Sequence, residues 1–480
     1  MENPTVTLDK IVALCKRKGF IYQSASIYGG LNGVYDFAHL GTLLKKNIRA
    51  EWLKSINATF DDILEFEGGL LGPHAEWEAS GHVENFSDPM VDCLNCKHRF
   101  RADEIDLSKP CANCGQTKWT DIRQFNLMFK TQIGAISNDD PGFQPSLTAM
   151  ADTVAQGGVY PEKNRGAGHG KANIAYLRPE TAQPIFVNFK NFISTYRVKI
   201  PFGVAQMGKS FRNEITPKQF LFRTREFEQM EIEWFCKEET ALKDFDTWCE
   251  SRKKFYSNIG LNMQKIRFRE QTPDERAHYS IRCTDVEYEF PFGFKEIEGI
   301  AYRGNYDLTQ HSKFSGKDLT VFDEETRKTY TPHVVECSVG TDRLLLTLLF
   351  DAYHEDIQAV PAEAFGEGRE QETRIVLKLH PKIAPIKAAF FPLVKKLSVP
   401  MLAIYKNIKK LGYEVDFDES ASIGKRYRRQ DEIGTPLCFT YDFDSENDNC
   451  VTVRDRDTTI QQRISIDIIE DYIKKTLTKG

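Results

Sequence analysis

Hydrophobic and polar positions alternate most regularly between Arg212 and Phe235. Successive side chains of a strand point to opposite faces, so one face of this stretch collects Phe220, Phe222, Met230, Ile232 and Trp234, interrupted by Glu226 and Glu228. That face reads as core. The other face collects Arg223, Arg225, Phe227, Gln229, Glu231 and Glu233, while Arg212 and Glu214 share one face of a shorter arm before it. The pattern predicts a short strand, a tight polar turn and a longer strand.

Elsewhere helical spacing and short apolar runs take over. Leu8, Ile11, Val12 and Cys15 predict a first amphipathic helix, and Leu40, Leu44, Ile48 and Trp52, with Leu43 and Leu53 beside them, a stronger one over residues 40–56. Residues 61–71 read as a strand broken at Gly68-Gly69 and ending at Pro73. Pro179 and Pro184 exclude a regular helix interior and mark a rigid loop that carries Glu180. Residues 138–170 are polar and glycine-rich, 244–256 helical, and 277–294 suggest strands. Residues 332–343 run as a strand into a glycine, before an apolar helix over 344–350. From 372 the character changes. Strand candidates over 374–379, 414–417, 436–441 and 450–453 alternate with helices over 401–411, 424–432 and 464–477. This predicts a compact α/β module, joined through the polar segment 361–371.

At 480 residues the chain suggests about three domains. A net charge of −5 argues against a uniformly basic nucleic-acid binder and leaves local patches open. The candidates are Lys425, Arg426, Arg428 and Arg429, then residues 252–254 and 267–269; residues 454–457 are a further possible RNA contact. With no long apolar run and no signal-peptide pattern, a cytoplasmic location and no membrane span are expected. Of eleven cysteines, four fall as Cys93-x-x-Cys96 and Cys111-x-x-Cys114. Thiolates at this spacing can close around one structural zinc ion; the alternative is a site without metal or a reducible disulfide pair.

Arginine forks match phosphate oxygens, a ring can stack on a nucleobase, and carboxylates hold an ammonium group or a metal. The polar face of residues 212–235 therefore suits a nucleotide and a small cation, against the plainer reading of a solvated strand face. Arg343, just inside a helix start, can face an anion together with the exposed amides.

Five stretches make the reading specific. Phe211-Arg-Asn-Glu with Arg225-Glu-Phe, and Gly340-Thr-Asp-Arg343, resemble the second and third signature motifs of class II aminoacyl-tRNA synthetases, and the helix and strand ending at Pro73 resemble the first. In order along the chain, YLRPETAQ, FRNEITP, REFEQMEIE, EIEGIAYR and VVECSVGTDR resemble the homodimeric, single-chain glycyl-tRNA synthetases. The resemblance implies an α+β fold: an antiparallel sheet of seven strands flanked by helices over residues 1–371, with a cysteine lobe inserted at about 88–120. An α/β anticodon-binding domain over 372–480 follows. It implies a homodimer with the Pro73 region near its interface, acting on glycine, ATP with Mg²⁺, and tRNA(Gly).

Matched residue by residue, the resemblance assigns Arg212 to the α-phosphate, Glu214 to the adenine amino group, Phe227 to stacking on adenine and Arg343 to the γ-phosphate, with Arg212, Glu214 and Arg343 as the catalytic set. Asn213, Phe222, Arg223, Glu296, Ile297 and Gly340 complete the implied ATP site, and Glu296 and Glu336 the implied magnesium ligands. Arg101, Glu180, Glu231, Arg303, Glu336 and Ser338 match the glycine pocket. The chain departs from the family pattern at Pro184, at Cys337-Ser-Val-Gly340 and at Phe37-Ala-His-Leu-Gly41, none of which removes a charged group. The rival readings are another class II synthetase, or a nucleic-acid-binding polymerase accessory subunit that has lost the ATP-site arginines.

Overall fold

A computed structural model describes residues 6–133, 174–277, 279–359 and 371–478. The glycine-rich segment 138–170, and the linker expected over 361–371 apart from its last residue, lie outside the described residues.

The centre is a seven-stranded sheet. In chain order its strands are β1 (Ile63–Phe66), β2 (Phe202–Phe211), β3 (Glu226–Cys236), β4 (Ile266–Glu270), β5 (Arg282–Phe290), β6 (Gly293–Gly304) and β7 (His333–Gly340). Across the sheet the order is β4-β5-β6-β7-β3-β2-β1. Every pairing is antiparallel except that of edge strand β1, which runs parallel to β2. Alternation along β3 sets the two faces. Met230, Ile232 and Trp234 point into a core closed by α1 (His39–Asn57), α2 (Glu238–Asn258) and α3 (Thr341–Ala352). Trp234 stacks on Phe60 with ring centres 4.0 Å apart and donates from its indole to Asp244 at 3.1 Å. Truncating so large a buried ring costs roughly 3–5 kcal/mol.

Phe227, Gln229, Glu231 and Glu233 point to the other face. One end of that face is sealed by Phe186, Phe189, Phe202 and Phe235. The rest stays open as a cleft.

The connection between β2 and β3 is no tight hairpin turn. Arg212 to Arg225 form a long loop containing a 3-10 turn over Phe220–Phe222, because Gln219 and Phe220 take left-handed φ of 59° and 58° and break the alternation. Arg212 and Glu214 therefore sit beyond the strand. Pro184 occupies the first turn of a short helix, Gln183–Val187, where the missing N–H costs nothing. The expected strand over 61–71 is two strands: β1, and Leu71–Pro73, which joins Ile174–Leu177 and Phe129–Gln132 in a small sheet. Gly68 between them admits no side chain, since a Cβ there would lie 2.6 Å from Pro184.

The cysteine pairs fold onto a small sheet of Ser87–Asp92, Arg99–Arg101 and Arg123–Asn126. The C-terminal module has the order β9-β8-β10-β11-β12, made from β8 (Ala388–Pro392), β9 (Val415–Phe417), β10 (Leu437–Tyr441), β11 (Cys450–Asp455) and β12 (Gln461–Ser465). Helices α4 (Ser398–Lys410), α5 (Ile423–Asp431) and α6 (Ile469–Thr478) cover it. The helix expected over 464–477 begins later, as β12 takes its first residues. The strand expected at 374–379 is Gln371–Leu377, which pairs with Tyr353–Ala359 as a hairpin leaving α3. Leu377, Leu379, Ile383, Ala384 and Ile386 pack into the main core, whereas the separate C-terminal core starts at Ala388. The expected boundary between 371 and 372 thus falls inside a hairpin. Among the described residues, no helix is long and apolar enough to cross a membrane.

Candidate functional site

The open face of the sheet forms a cleft of about 480 Å³ whose floor is a grid set by strand register. Gln229, Glu231 and Glu233 on β3 stand opposite Gly340, Ser338 and Glu336 on β7. On β6, Gly299 and Ala301 stand opposite Ser338 and Glu336. The register places polar and small residues on one surface in three adjacent strands.

One end of the cleft is cationic and aromatic. Arg212, Glu214, Phe222, Arg223, Phe227, Glu296, Gly340 and Arg343 all line it. Arg212 donates to the carbonyl of Pro179 at 3.1 Å and lies 5.2 Å from the ring centres of both Phe86 and Phe227. Arg343, in the first turn of α3, lies 4.4 Å from the ring centre of Phe222 and donates to the Glu296 carbonyl at 2.7 Å. Burial pushes the Glu214 carboxyl up, while Arg223 and Arg212 pull it back. Glu104 of the cysteine lobe reaches across to Lys218 at 2.6 Å and Arg223 at 3.2 Å.

The other end is acidic. Glu231 accepts from Ser338 at 2.5 Å, from Gln229 at 2.9 Å and, by a short contact, from Thr181. Burial, with Glu336 and Glu180 adjacent, pushes its carboxyl up to about 7. Burial works against charge on Glu180 too, but His82, 3.2 Å away, then Arg303 and Gln183 outweigh it and hold Glu180 well below the usual range. Beneath lies Glu233, with neither oxygen hydrogen-bonded; burial and the Glu336 charge raise it well above a normal carboxyl. The neighbouring carboxyls of Glu180 and Glu231 are thus pushed in opposite directions, because His82 bonds Glu180 directly while the other carboxyls crowd Glu231. The arrangement offers fixed charge for a small ammonium group beside arginines suited to phosphates.

Four expected site residues stand elsewhere. Arg303 lies below the cleft, 2% exposed, bonded to Asp307 at 2.8 and 2.9 Å and to Glu336 at 2.8 Å. Its guanidinium supports the floor. Ile297 faces the core, because a bulge opposite Val286/Glu287 turns the strand there. Arg101 is tied to Asp88 and Asp103 within the lobe, and Asn213 does not line the cleft. The two expected magnesium carboxylates do not converge: Glu336 pairs opposite Ala301, four register steps from Glu296 on β6 once the bulge at Ile297 is allowed for, roughly 13 Å of strand.

Sequence reasoning missed His82, Thr181, Gln183, Asp285 and Gly299. Only Gly299 carried a local signal, a glycine inside a strand; a Cβ there would meet nothing within 4 Å and would stand in the cleft.

In the lobe, Cys93, Cys96, Cys111 and Cys114 are free thiols whose sulfurs lie within 4.8 Å of one another. The Cys93–Cys114 and Cys96–Cys111 separations are 3.6 and 3.8 Å. A zinc ion with bonds of about 2.3 Å requires sulfurs about 3.8 Å apart in a tetrahedron, so the cluster fits.

Most candidate RNA contacts are consumed by the fold. Arg426 is buried and donates to the Ala421 carbonyl at 2.8 Å, Arg429 pairs with Asp418 at 2.6 Å, and Lys425 is exposed. Arg454 and Arg456 are buried on Asp431 and on the carbonyls of Leu379 and Gly434. Arg252 is buried on Glu298, and Arg267 and Arg269 pair with Glu287.

A family model described as "tRNA synthetase class II core domain (G, H, P, S and T)" matches residues 170–351, and one described as "Anticodon binding domain" matches residues 386–476. The chain is 45% identical to a glycine–tRNA ligase of Caldanaerobacter subterraneus subsp. tengcongensis over 98% of the chain and 99% of that protein. It is also 45% identical to those of Treponema denticola, over 97% and 96%, and Borreliella burgdorferi, over 98% and 97%.

Proposed function

The chain belongs to the glycine–tRNA ligase family of class II synthetases, and on that premise we infer that it activates glycine in the cleft over β3 and passes it to tRNA(Gly). Glycine and ATP give glycyl-adenylate and pyrophosphate; a hydroxyl of the terminal tRNA ribose then attacks the glycyl carbonyl and AMP leaves. The observation that carries this reading is the ordered row on one strand face, with Phe227 and Arg212 at one end and Glu231 at the other.

The first nucleophile is the glycine carboxylate, already ionised at neutral pH, so no general base is required. Catalysis reduces to alignment and stabilisation of charge. Adenine stacks on Phe227, Arg212 faces the α-phosphate, and Arg343 faces the outer phosphates. Four residues of strand, roughly 13 Å, separate Phe227 from Glu231 and leave room for ribose and phosphate. Glu180 and Glu231 bind the glycine ammonium, with Ser338 and Thr181 holding Glu231. Arg303 supports this floor through Asp307 and Glu336, so the glycine carboxylate points along the strand toward Arg212. Overpacking against Glu180 and Glu231 excludes larger amino acids, and glycine has no smaller competitor to edit.

Magnesium enters with ATP as part of the substrate; Glu296 and the adjacent Asp285, both in the cleft, are the carboxylates placed to meet it. The four thiolates of the lobe hold a structural zinc. A homodimer through the Pro73 region belongs to the same proposal, and Leu70 and Leu71, 42% and 51% exposed, are the apolar surface it covers.

ATP–pyrophosphate exchange assayed across the twenty amino acids tests the reading. Exchange with glycine alone supports it, and a preference for any other amino acid refutes it. Arg212→Ala is expected to lose about 10² to 10³ in exchange rate, as removal of a preorganised charge-stabilising donor does.

A further inference from the structure

Helix α1 touches neither end of the row, yet one of its lysines is buried at the point where both ATP-facing arms begin. Lys45 is 3% exposed. Its ammonium lies 2.6 Å from Asp342 Oδ1, 3.3 Å from Glu228 Oε2, and 4.0 Å from the ring centre of Phe37. Arg49, one turn along α1, meets Glu228 at 2.7 and 2.9 Å. Two cations therefore face two carboxylates, with Lys45, Glu228 and Asp342 buried and Arg49 reaching the surface.

The second oxygen of Asp342 accepts the backbone N–H of Glu228 at 3.1 Å. That N–H belongs to the peptide group joined to the Phe227 carbonyl, and Asp342 immediately precedes Arg343. One carboxylate thus fixes the backbone behind Phe227 and the helix turn that carries Arg343. Burial pushes the Asp342 carboxyl up, and the Lys45 ammonium 2.6 Å away pulls it back. A buried carboxylate stripped of its partner takes up a proton or turns toward water, and either change releases the Glu228 peptide.

We propose that Lys45 is a positioning residue for ATP: through Asp342 it sets the separation of Phe227 from Arg343, the two residues between which the nucleotide binds. The proposal rests on the reading that these two residues face ATP. It places the contribution of α1 to activation in one buried ammonium, independent of any subunit contact. Because the acidic end of the row has its own supports in Thr181, Ser338 and Arg303, loss of Lys45 acts on the nucleotide and spares glycine.

Pyrophosphate exchange measured with ATP and glycine varied separately tests this. Lys45→Met is expected to raise the ATP KM by about tenfold or more while the glycine KM stays within about twofold. The double variant Lys45→Met/Asp342→Asn removes one charge of each sign, leaves the Arg49–Glu228 pair intact, and decides the matter if the single variant does not fold. Its thermal midpoint is expected to return toward wild type while the ATP KM stays raised. Recovery of both midpoint and ATP KM would reduce Lys45 to a counter-charge and overturn the proposal, as would a folded single variant with a wild-type ATP KM. Phe227→Ala is the control. If it leaves the ATP KM unchanged, the reading of the cleft fails and the proposal falls with it; if it raises the ATP KM and Lys45→Met does not, the proposal alone fails.

Discussion

The Nε2 of His82 stands 3.2 Å from Oε2 of Glu180, and Ser80 Oγ, 2.8 Å from the other ring nitrogen, fixes the imidazole plane. Gln183 adds a bond to Glu180 at 2.9 Å. On the proposed reading, the carboxylate that receives the glycine ammonium is aimed by two fixed partners before substrate arrives. His82→Ala frees it to turn, and the expected cost is that of one buried hydrogen bond to a charged group, about 1.5–3 kcal/mol, or roughly 10- to 150-fold in glycine KM. The ATP KM should hardly move, and His82→Asn, which keeps a donor, should recover part of the loss. Equal effects on both substrates would show a collapsed cleft instead of a misaimed carboxylate.

If Glu231 receives the glycine ammonium as proposed, glycine binding is proton-linked. Its carboxyl sits near 7 when folded against 4.5 as a free group. Its contribution to stability is therefore fully present below 4.5 and is lost as pH rises through about 7, because over that window the unfolded chain has released the proton and the folded one keeps it. At about 1.4 kcal/mol per pH unit the loss is on the order of 3 kcal/mol. Denaturant unfolding of wild type and Glu231→Gln should diverge by that order between pH 4.5 and 7, with wild type losing ground. Glycine brings the missing cation, so calorimetry at pH 6 in buffers of different ionisation enthalpy should detect proton release on binding. A buffer-independent heat would rule this out.

The sequence displayed the parts of the site that obey strand periodicity. Phe227, Gln229, Glu231 and Ser338 follow from a period of two, and their neighbours across the sheet follow from register. It hid whatever depends on a partner far along the chain. Arg303 has the composition of a substrate ligand, but Asp307, four residues later in the helix that follows the strand, and Glu336 on another strand claim its guanidinium. Ile297 fails because a bulge reverses parity, and nothing in EIEG announces it. Arg454 and Arg456 look like an RNA-binding run; Asp431 and two backbone carbonyls make them structural. His82 comes from a short helix before the cysteine lobe and meets Glu180 across almost a hundred intervening residues, so no local pattern marks it.

Zinc should act on the nucleotide through Glu104, whose carboxylate bridges Lys218 and Arg223 from the lobe. Cys96→Ser removes one of four thiolates in a cluster of ion-sized spacing. We expect one zinc per chain in wild type and a loss of metal in the variant, read by elemental analysis. The bridge is partly exposed, so its loss is worth no more than about 1 kcal/mol, a change in ATP KM of less than about fivefold. Susceptibility of the lobe to protease should change far more. Full zinc occupancy in Cys96→Ser, or no zinc in wild type, would refute the assignment.

Asp431 closes α5 at the helix end where a negative charge is least welcome, and two arginines compensate it. Arg374, from the hairpin that leaves the main core, donates to it at 2.8 Å, and Arg454 from β11 donates at 2.9 and 3.1 Å. All three side chains are buried, so Asp431→Ala takes the carboxylate from Arg454 and leaves Arg374 only Asp356 at 3.3 Å and the Arg456 carbonyl, which should cost about 3–5 kcal/mol. Asp431→Asn keeps acceptor geometry without charge and should cost less. Because Arg374 belongs to the connecting hairpin, the damage should fall on the C-terminal module and its attachment. Pyrophosphate exchange, which needs only the cleft, should survive, while transfer to tRNA falls and an early unfolding step appears in calorimetry. A single unshifted transition, or equal loss of exchange and transfer, would show that Asp431 does not tie the module to the core.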